Sequence, residues 1–322
     1  MPNALKPNNS PDAACSSPSL PDSVRSLGEL MRYTRSELID AHLASPEADA
    51  RAIFEAATSA GPADILFHGD EEYTGDGREL LAEMIARRVA REPLQHILGT
   101  APMLGLELAV GPGVFIPRPE TELLAQWAIN MARGLVGEGV GKLRVVDLCT
   151  GSGALALAIA EEVPEANILA VELSDEALVW TRKNIAACEQ RWGGPRVSLM
   201  QADVTDVSAL RANQSLDDWW GNADIVVSNP PYVPDSTEVF EEVMADPHSA
   251  VFGGDDGLDV IRPMMNVVDA LLRPGGVVGI EHDDSSGPDM MSLLGAQWEY
   301  ASVSVMQDLA DRDRFTVGKK PE

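Results

Sequence analysis

The sequence predicts an α/β protein: a doubly wound, mostly parallel sheet, preceded by a small N-terminal helical domain and a β-hairpin connector. Three observations predict it. From residue 120 onward, strand-length apolar runs alternate with helix-length segments. The first strand of that series runs into a glycine-rich turn, Asp147-Leu148-Cys149-Thr150-Gly151-Ser152-Gly153, ahead of an apolar helix. Before residue 93 that alternation is absent, and apolar residues recur at helical spacing instead.

Taken in order, residues 1–24 are rich in Pro, Ser and Asn and read as a disordered leader, or as the product of an upstream start codon. They lack the basic start and apolar core of a secretory signal. Residues 25–92 form the helical domain. Ser26 with Glu29 makes a capping box, and Ser45-Pro46 places a proline at a first helical position. Between Glu79 and Arg91, Leu81, Met84, Ile85 and Val89 share one face, and Arg87, Arg88 and Arg91 complement the dipole at the last turn. Residues 93–119 read as short apolar strands separated by Gly and Pro, a hairpin connector. The sheet domain occupies 120–320, with strands at 143–149, 167–173, 196–203, 223–228 and 275–282. Its helices fall at 154–162, 175–188 and 258–272.

A chain of 322 residues has room for two domains, and its 45% hydrophobic content suits a globular enzyme with no membrane span. Cys15, Cys149 and Cys188 show neither an even count nor metal spacing, which points to a reducing, cytoplasmic setting. The net charge is −27, and between Asp203 and Asp259 thirteen Asp and Glu residues face one base, Arg211. A surface so acidic repels phosphate backbones, which weighs against a nucleic-acid substrate.

The glycine-rich turn allows close backbone approach to a ligand, and through Ala156 it also satisfies the loose dinucleotide pattern. Asp147 stands inside the strand end. Glu172 ends the next strand, placed to take two ribose hydroxyls. Asp203 ends the third and can accept from an adenine amino group, or simply cap a turn. These residues indicate an adenosyl ligand without choosing between a nicotinamide and a sulfonium cofactor.

The stretch Ile225-Val226-Val227-Ser228-Asn229-Pro230-Pro231-Tyr232 narrows the choice. Asn229 offers a side-chain acceptor, and a carbonyl of the Asn-Pro-Pro turn offers a second, because proline donates nothing there. Together they would hold both hydrogens of a planar –NH₂ group while Tyr232 stacks on its face. Aimed in this way, the nitrogen can meet an electrophile about 3–3.5 Å away. A sulfonium methyl fits, since its charge disappears on transfer and no metal is required.

These motifs resemble S-adenosylmethionine-dependent methyltransferases acting on planar nitrogen, with a Rossmann-like methyltransferase sheet. Arg91–Gly99 (REPLQHILG), Phe115–Glu122 (FIPRPETE), Val227–Val233 (VSNPPYV) and Gly253–Asp259 (GGDDGLD) are similar to the bacterial release factor glutamine methyltransferase family. The resemblance covers residues 27–317. It implies S-adenosyl-L-methionine as cofactor and methylation of the glutamine of a Gly-Gly-Gln motif in peptide chain release factors. It implies that Cys149, Thr150, Gly151, Ser152 and Gly153 hold the methionine end, Glu172 the ribose, and Asp203 and Val204 the adenine. Asn229, Pro230, Pro231 and Tyr232 would hold the glutamine amide, with Arg118, Glu120 and Thr121 at the border; Arg118-Pro119 also reads as a helix start.

The chain departs from the family pattern at Cys149, where glycine is commonest, at Glu172 for Asp, and at Val204, where an aromatic often covers adenine. Glu281-His282-Asp283-Asp284 reads as a solvated loop rather than a metal site. Other readings are a ribosomal-protein glutamine or nucleic-acid adenine methyltransferase and, from a different class, an NAD-dependent oxidoreductase.

Overall fold

The computed structural model describes residues 18–298, 302–308 and 310–322, so most of the leader expected over 1–24 lies outside the described residues. The chain divides into two compact units, one ending at Ile97 and one beginning at Leu98.

The first unit contains helices α1 (Leu27–Asp40), α2 (Pro46–Thr58), α3 (Pro62–His68) and α4 (Arg78–Val89). The capping box forms as expected: Glu29 N–H donates to Ser26 Oγ at 3.3 Å, and Ser26 N–H donates to Glu29 Oε2 at 2.9 Å. α1, α2 and α4 meet around Leu30, Leu38, Ile53, Phe54 and Leu81, all fully buried. Burial of each contributes roughly 1.5–3 kcal/mol. The three arginines near the end of α4 do more than complement a dipole. Arg88 makes a buried ion pair with Asp49 at 2.8 Å, Arg87 forks onto Glu92, and Arg91 donates to the Ala41 carbonyl.

At the junction, Leu94–Leu98 is a short helix, α5, where the sequence suggested strand. Pro93 explains the difference: its carbonyl accepts from the His96 and Ile97 N–H groups and starts a helical turn. The hairpin follows as β1 (Thr100–Met103) and β2 (Leu106–Ala109), turning through Leu104 and Gly105 with φ of 45° and 80°. Two positive φ values in a two-residue loop match the twist of the flanking strands.

The large sheet is built from β3 (Leu143–Leu148), β4 (Ala166–Glu172), β5 (Val197–Gln201), β6 (Ala223–Ser228), β7 (Leu272–Glu281), β8 (Ser302–Gln307) and β9 (Asp313–Lys319). Their order is β5-β4-β3-β6-β7-β9-β8, parallel as far as β7 and antiparallel across β9. The order of strand addition reverses between the parallel neighbours β3 and β6, which makes their carboxyl ends the switch point where α/β sheets bind ligands. Successive residues serve opposite faces: Val145 enters one core and Val146 the other. One face is covered by α6 (Pro119–Gly137), α7 (Ala154–Glu162) and α8 (Asp175–Trp192), the other by α9 (Val207–Arg211), α11 (Ile261–Leu271) and α12 (Gly287–Trp298), with α10 (His248–Val251) in the loop after β6. α7 is apolar all round because Ala154 to Ala160 are all buried.

The expected solvated loop at 281–284 is a correction. Glu281 closes β7 at 1% exposure, and His282 beside it is fully buried, with Nε2 against Thr316 Oγ1 at 2.8 Å. A run of four ionisable residues reads as surface; here the antiparallel β9 covers its first half.

Candidate active site

The site grows from the turn between β3 and α7. Cys149, Gly151 and Gly153 adopt φ of 60°, 58° and 89°, the left-handed region that glycine occupies without strain and cysteine at a cost of about 1–2 kcal/mol. The departure at Cys149 therefore falls where glycine is the easier residue. Asp147 holds the turn together. Its Oδ2 accepts from the Thr150 hydroxyl at 2.5 Å and from Ala156 N–H at 3.1 Å, while Oδ1 has no hydrogen-bond partner. Burial pushes this carboxyl up to about 7, against the lowering effect of those two donors. Asn184 on α8, which sequence reasoning did not select, donates to Ser152 O and Ala109 O and accepts from Ala109 N–H. It fastens the hairpin to the glycine turn. An asparagine facing a strand and a turn at once carries no local sequence signal.

Glu172 ends β4 as expected, and its oxygens accept from three backbone N–H groups, those of Gly151, Leu173 and Ser174, at 2.8–2.9 Å. Each carboxylate oxygen keeps lone-pair capacity for a ribose hydroxyl. Asp203 spends Oδ1 on the Thr205 N–H and hydroxyl, leaving Oδ2 to accept from a ligand, and Val204 is buried beside it. Burial, and next the nearby Glu172 carboxylate, push the Cys149 thiol far up, so this cysteine is a neutral thiol. A thiolate there would itself be a nucleophile.

At the end of β6, Asn229 Nδ2 donates to the Thr121 hydroxyl at 3.1 Å, which leaves Oδ1 as the available acceptor. Tyr232 donates its hydroxyl to Glu281 Oε1 at 2.9 Å. The Gly-Gly-Asp-Asp-Gly segment acquires a physical reason. A Cβ on Gly253 would lie 2.6 Å from Pro231 O, and one on Gly257 would lie 2.1 Å from Tyr232 O. Only glycine lets this segment pack against the Asn-Pro-Pro-Tyr turn. Phe115–Glu122 is tied to the same loop: Arg118 bonds Asp246 at 2.5 Å, and Asp246 Oδ1 accepts from Ile116 N–H. Asp246 is pushed up to about 6, because burial outweighs the Arg118 charge.

These parts enclose a cavity of about 550 Å³ at the strand ends. Cys149, Thr150, Gly151 and Ser152 line it, as do Glu172, Asp203 and Val204, with Asn229, Pro231 and Thr121 on another wall. Gly153, Pro230 and Tyr232 adjoin these lining residues along the chain. No basic residue is among the described residues that line it. Its carboxylate acceptors suit the hydroxyls, amino group and positive sulfur of an adenosyl sulfonium. A dinucleotide diphosphate would meet no side-chain cation.

A sheet of this order with a cavity at its switch point, in a chain that matches the Methyltransferase small domain, belongs to the S-adenosylmethionine-dependent methyltransferases. Two family patterns match: the PrmC N-terminal domain over residues 29–99 and the Methyltransferase small domain over residues 138–251. The chain is 44% identical to the release factor glutamine methyltransferase of Corynebacterium glutamicum, over 91% of this chain and 99% of that protein. It is 43% identical to that of Streptomyces coelicolor, over 91% and 98%. The chain belongs to the release factor glutamine methyltransferase family. Among solved structures, the hMettl16 catalytic domain in complex with MAT2A 3'UTR hairpin 1 is 13% identical with a TM-score of 0.51, covering 74% of this chain and 80% of that one; the likeness is one of fold. Among the described residues no helix is long and apolar enough to cross a membrane.

Proposed function

We propose that this enzyme moves the methyl group of S-adenosyl-L-methionine to the side-chain N5 of the glutamine in the Gly-Gly-Gln motif of peptide chain release factors, in the cytoplasm. The observation that carries the reading is the Asn229 amide, fixed by Thr121 with its oxygen left to accept at the cavity wall. The substrate glutamine gives one N–H to Asn229 Oδ1 and the other to the Pro230 carbonyl, while Tyr232 and Pro231 hold the turn that aims them. Held by both hydrogens, the nitrogen loses rotational freedom and turns its lone pair toward the methyl carbon. The cofactor supplies an electrophilic sulfonium methyl.

In this reading the turn from Cys149 to Gly153 receives the methionine end. Glu172 takes the ribose hydroxyls, and Asp203 and Val204 take the adenine. On transfer the methyl–sulfur bond breaks with its electron pair left on sulfur, and the amide nitrogen then releases one proton to solvent. The neutral Cys149 thiol in the cavity wall does not compete as a nucleophile. The acidic window from Asp203 to Asp259 supports a protein rather than a nucleic-acid substrate. Residues 25–92 dock that protein, a role supported by Leu66 and Phe67 standing largely exposed on α3, a helix with no buried residue.

The test is incubation of purified enzyme with labelled S-adenosylmethionine and release factor, beside a release factor whose Gly-Gly-Gln glutamine is alanine. Labelling confined to the unaltered factor is expected, and equal labelling of both ends the reading.

A further inference from the structure

One face of α8 touches two walls of the cavity without lining it. Glu176, Trp180, Thr181 and Asn184 lie at helical spacing on that face, and none of the four is among the described residues that line the cavity. Thr181 donates its hydroxyl to Gly151 O at 2.5 Å and Asn184 donates to Ser152 O, so the glycine turn is fixed from here. A second wall consists of Gly113, Val114 and Phe115, in the segment between β2 and α6. Trp180 Nε1 donates to Pro112 O at 3.1 Å. A Cβ on Gly111 would lie 2.4 Å from the indole ring, and one on Gly113, where φ is 89°, would lie 2.6 Å from Glu176. The segment is therefore pressed against α8 at both glycines. The indole is partly buried on Ala101, Val110, Val114, Ile116 and Ala177, with the Lys183 ammonium 5.3 Å from the ring centre.

We infer that Trp180 is a positioning residue for the cofactor: its indole props residues 111–115 at a fixed distance from the glycine turn, so that both walls stand ready before S-adenosylmethionine enters. This rests on the reading of the cavity as the cofactor site. The segment itself is poor in internal support. Pro112 has no N–H to give, and the Val114 N–H reaches Gly111 O at 3.4 Å, longer than a strong hydrogen bond. Its two glycines lose much conformational freedom when ordered. A wall left free would have to be ordered as the cofactor binds, which weakens affinity; a wall already propped carries no such penalty. The cofactor meets this wall before and during transfer alike. Trp180 therefore acts on cofactor affinity and not on kcat.

The contacts separate the variants. Trp180→Phe keeps a ring and loses one neutral hydrogen bond, so cofactor affinity should fall about threefold to tenfold. Trp180→Ala loses the prop as well, and its affinity should fall on the order of thirtyfold, the cost of ordering one or two backbone residues on binding. Gly111→Ala should weaken binding in the wild type, because the added methyl and the indole claim the same space. It should add nothing in Trp180→Ala, where that space is open. Trp192→Ala is the control. Trp192 lies on the same helix about 18 Å further along, bonds Glu161 through its indole N–H, and does not touch the cavity lining segment 111–115.

The test is calorimetric titration of each full-length variant with S-adenosylmethionine, beside release factor methylation at saturating cofactor and hydrogen exchange over residues 110–116. In Trp180→Ala the cofactor Kd should rise as stated while kcat stays within about twofold. Exchange over residues 110–116 should quicken in the cofactor-free variant and slow again when cofactor is bound. Trp192→Ala should keep Kd within about twofold even where its melting temperature falls as far. A merely structural role predicts that both tryptophan variants lose affinity alike, or that kcat falls as much as affinity. Either result overturns the inference, and so does an unchanged Kd in Trp180→Ala. A wild-type enzyme that binds no S-adenosylmethionine would instead overturn the reading of the cavity, and exchange over residues 110–116 in Trp180→Ala would still decide whether Trp180 holds the wall.

Discussion

Gly257→Ala offers a direct way to displace the amide clamp without touching it. Gly257 has φ of 77°, and a Cβ there would sit 2.1 Å from the Tyr232 carbonyl oxygen. A comfortable carbon–oxygen contact needs about 3.4 Å, so the two segments must separate by about 1 Å. Both are backbone and neither can rotate away. A misplacement of about 1 Å in a positioning element costs on the order of a hundredfold in rate. The left-handed conformation adds about 1–2 kcal/mol of strain for alanine. Gly139→Ala is the control, because Gly139 has φ of 86° with nothing within 4 Å of the added carbon. It carries the strain alone. Urea unfolding should therefore show Gly257→Ala as the less stable of the two by at least about 1 kcal/mol. Its methyl transfer should fall about a hundredfold while calorimetric cofactor affinity stays within about twofold. Equal stability of the two variants, or normal turnover by Gly257→Ala, would refute the close-packing argument.

Asp147 is raised from its ordinary 3.8 to about 7 in the fold, so its protonated form stabilises the native state. That contribution is fully present below about pH 4 and lost as pH rises through about 7, a change on the order of 4 kcal/mol. Unfolding free energies measured at pH 5.5 and 8 should differ less in Asp147→Asn than in the wild type. Asp49→Ala should cost about 3–5 kcal/mol in the same measurement, because the buried Arg88 guanidinium loses the Asp49 carboxylate it is bonded to. With both Cys149 and Cys188 thiols raised by burial, brief iodoacetamide treatment at pH 7.5 followed by peptide mass mapping should find both unmodified.

How much was legible in the sequence depends on the range of the interaction. The Ser26–Glu29 box, the strand at 223–228 and the helix at 154–162 are local, and the structure places all three as read. The carboxyl-edge cluster was legible too, because the switch-point rule turns strand ends into a shared location: Glu172, Asp203 and Asn229 line one cavity. Long-range partners were not. Asn184 on Ala109, Asp246 on Arg118 and Glu281 under Tyr232 join residues far apart in the chain, and none has a local pattern to announce it. Glu281 was read as surface because its neighbours are polar, and the strand that covers it arrives more than thirty residues later. That strand, with β8, alternates weakly and was not read at all; β8 is largely exposed. The Leu94–Leu98 helix was missed because five residues are too few for a period to show.

The central claim is that Asn229 holds the substrate amide, and the most direct measurement is single-turnover methyl transfer to release factor by Asn229→Ala at saturating cofactor. The account predicts a rate at least about a hundredfold below wild type, with cofactor affinity within about twofold. Wild-type turnover in that variant would contradict it.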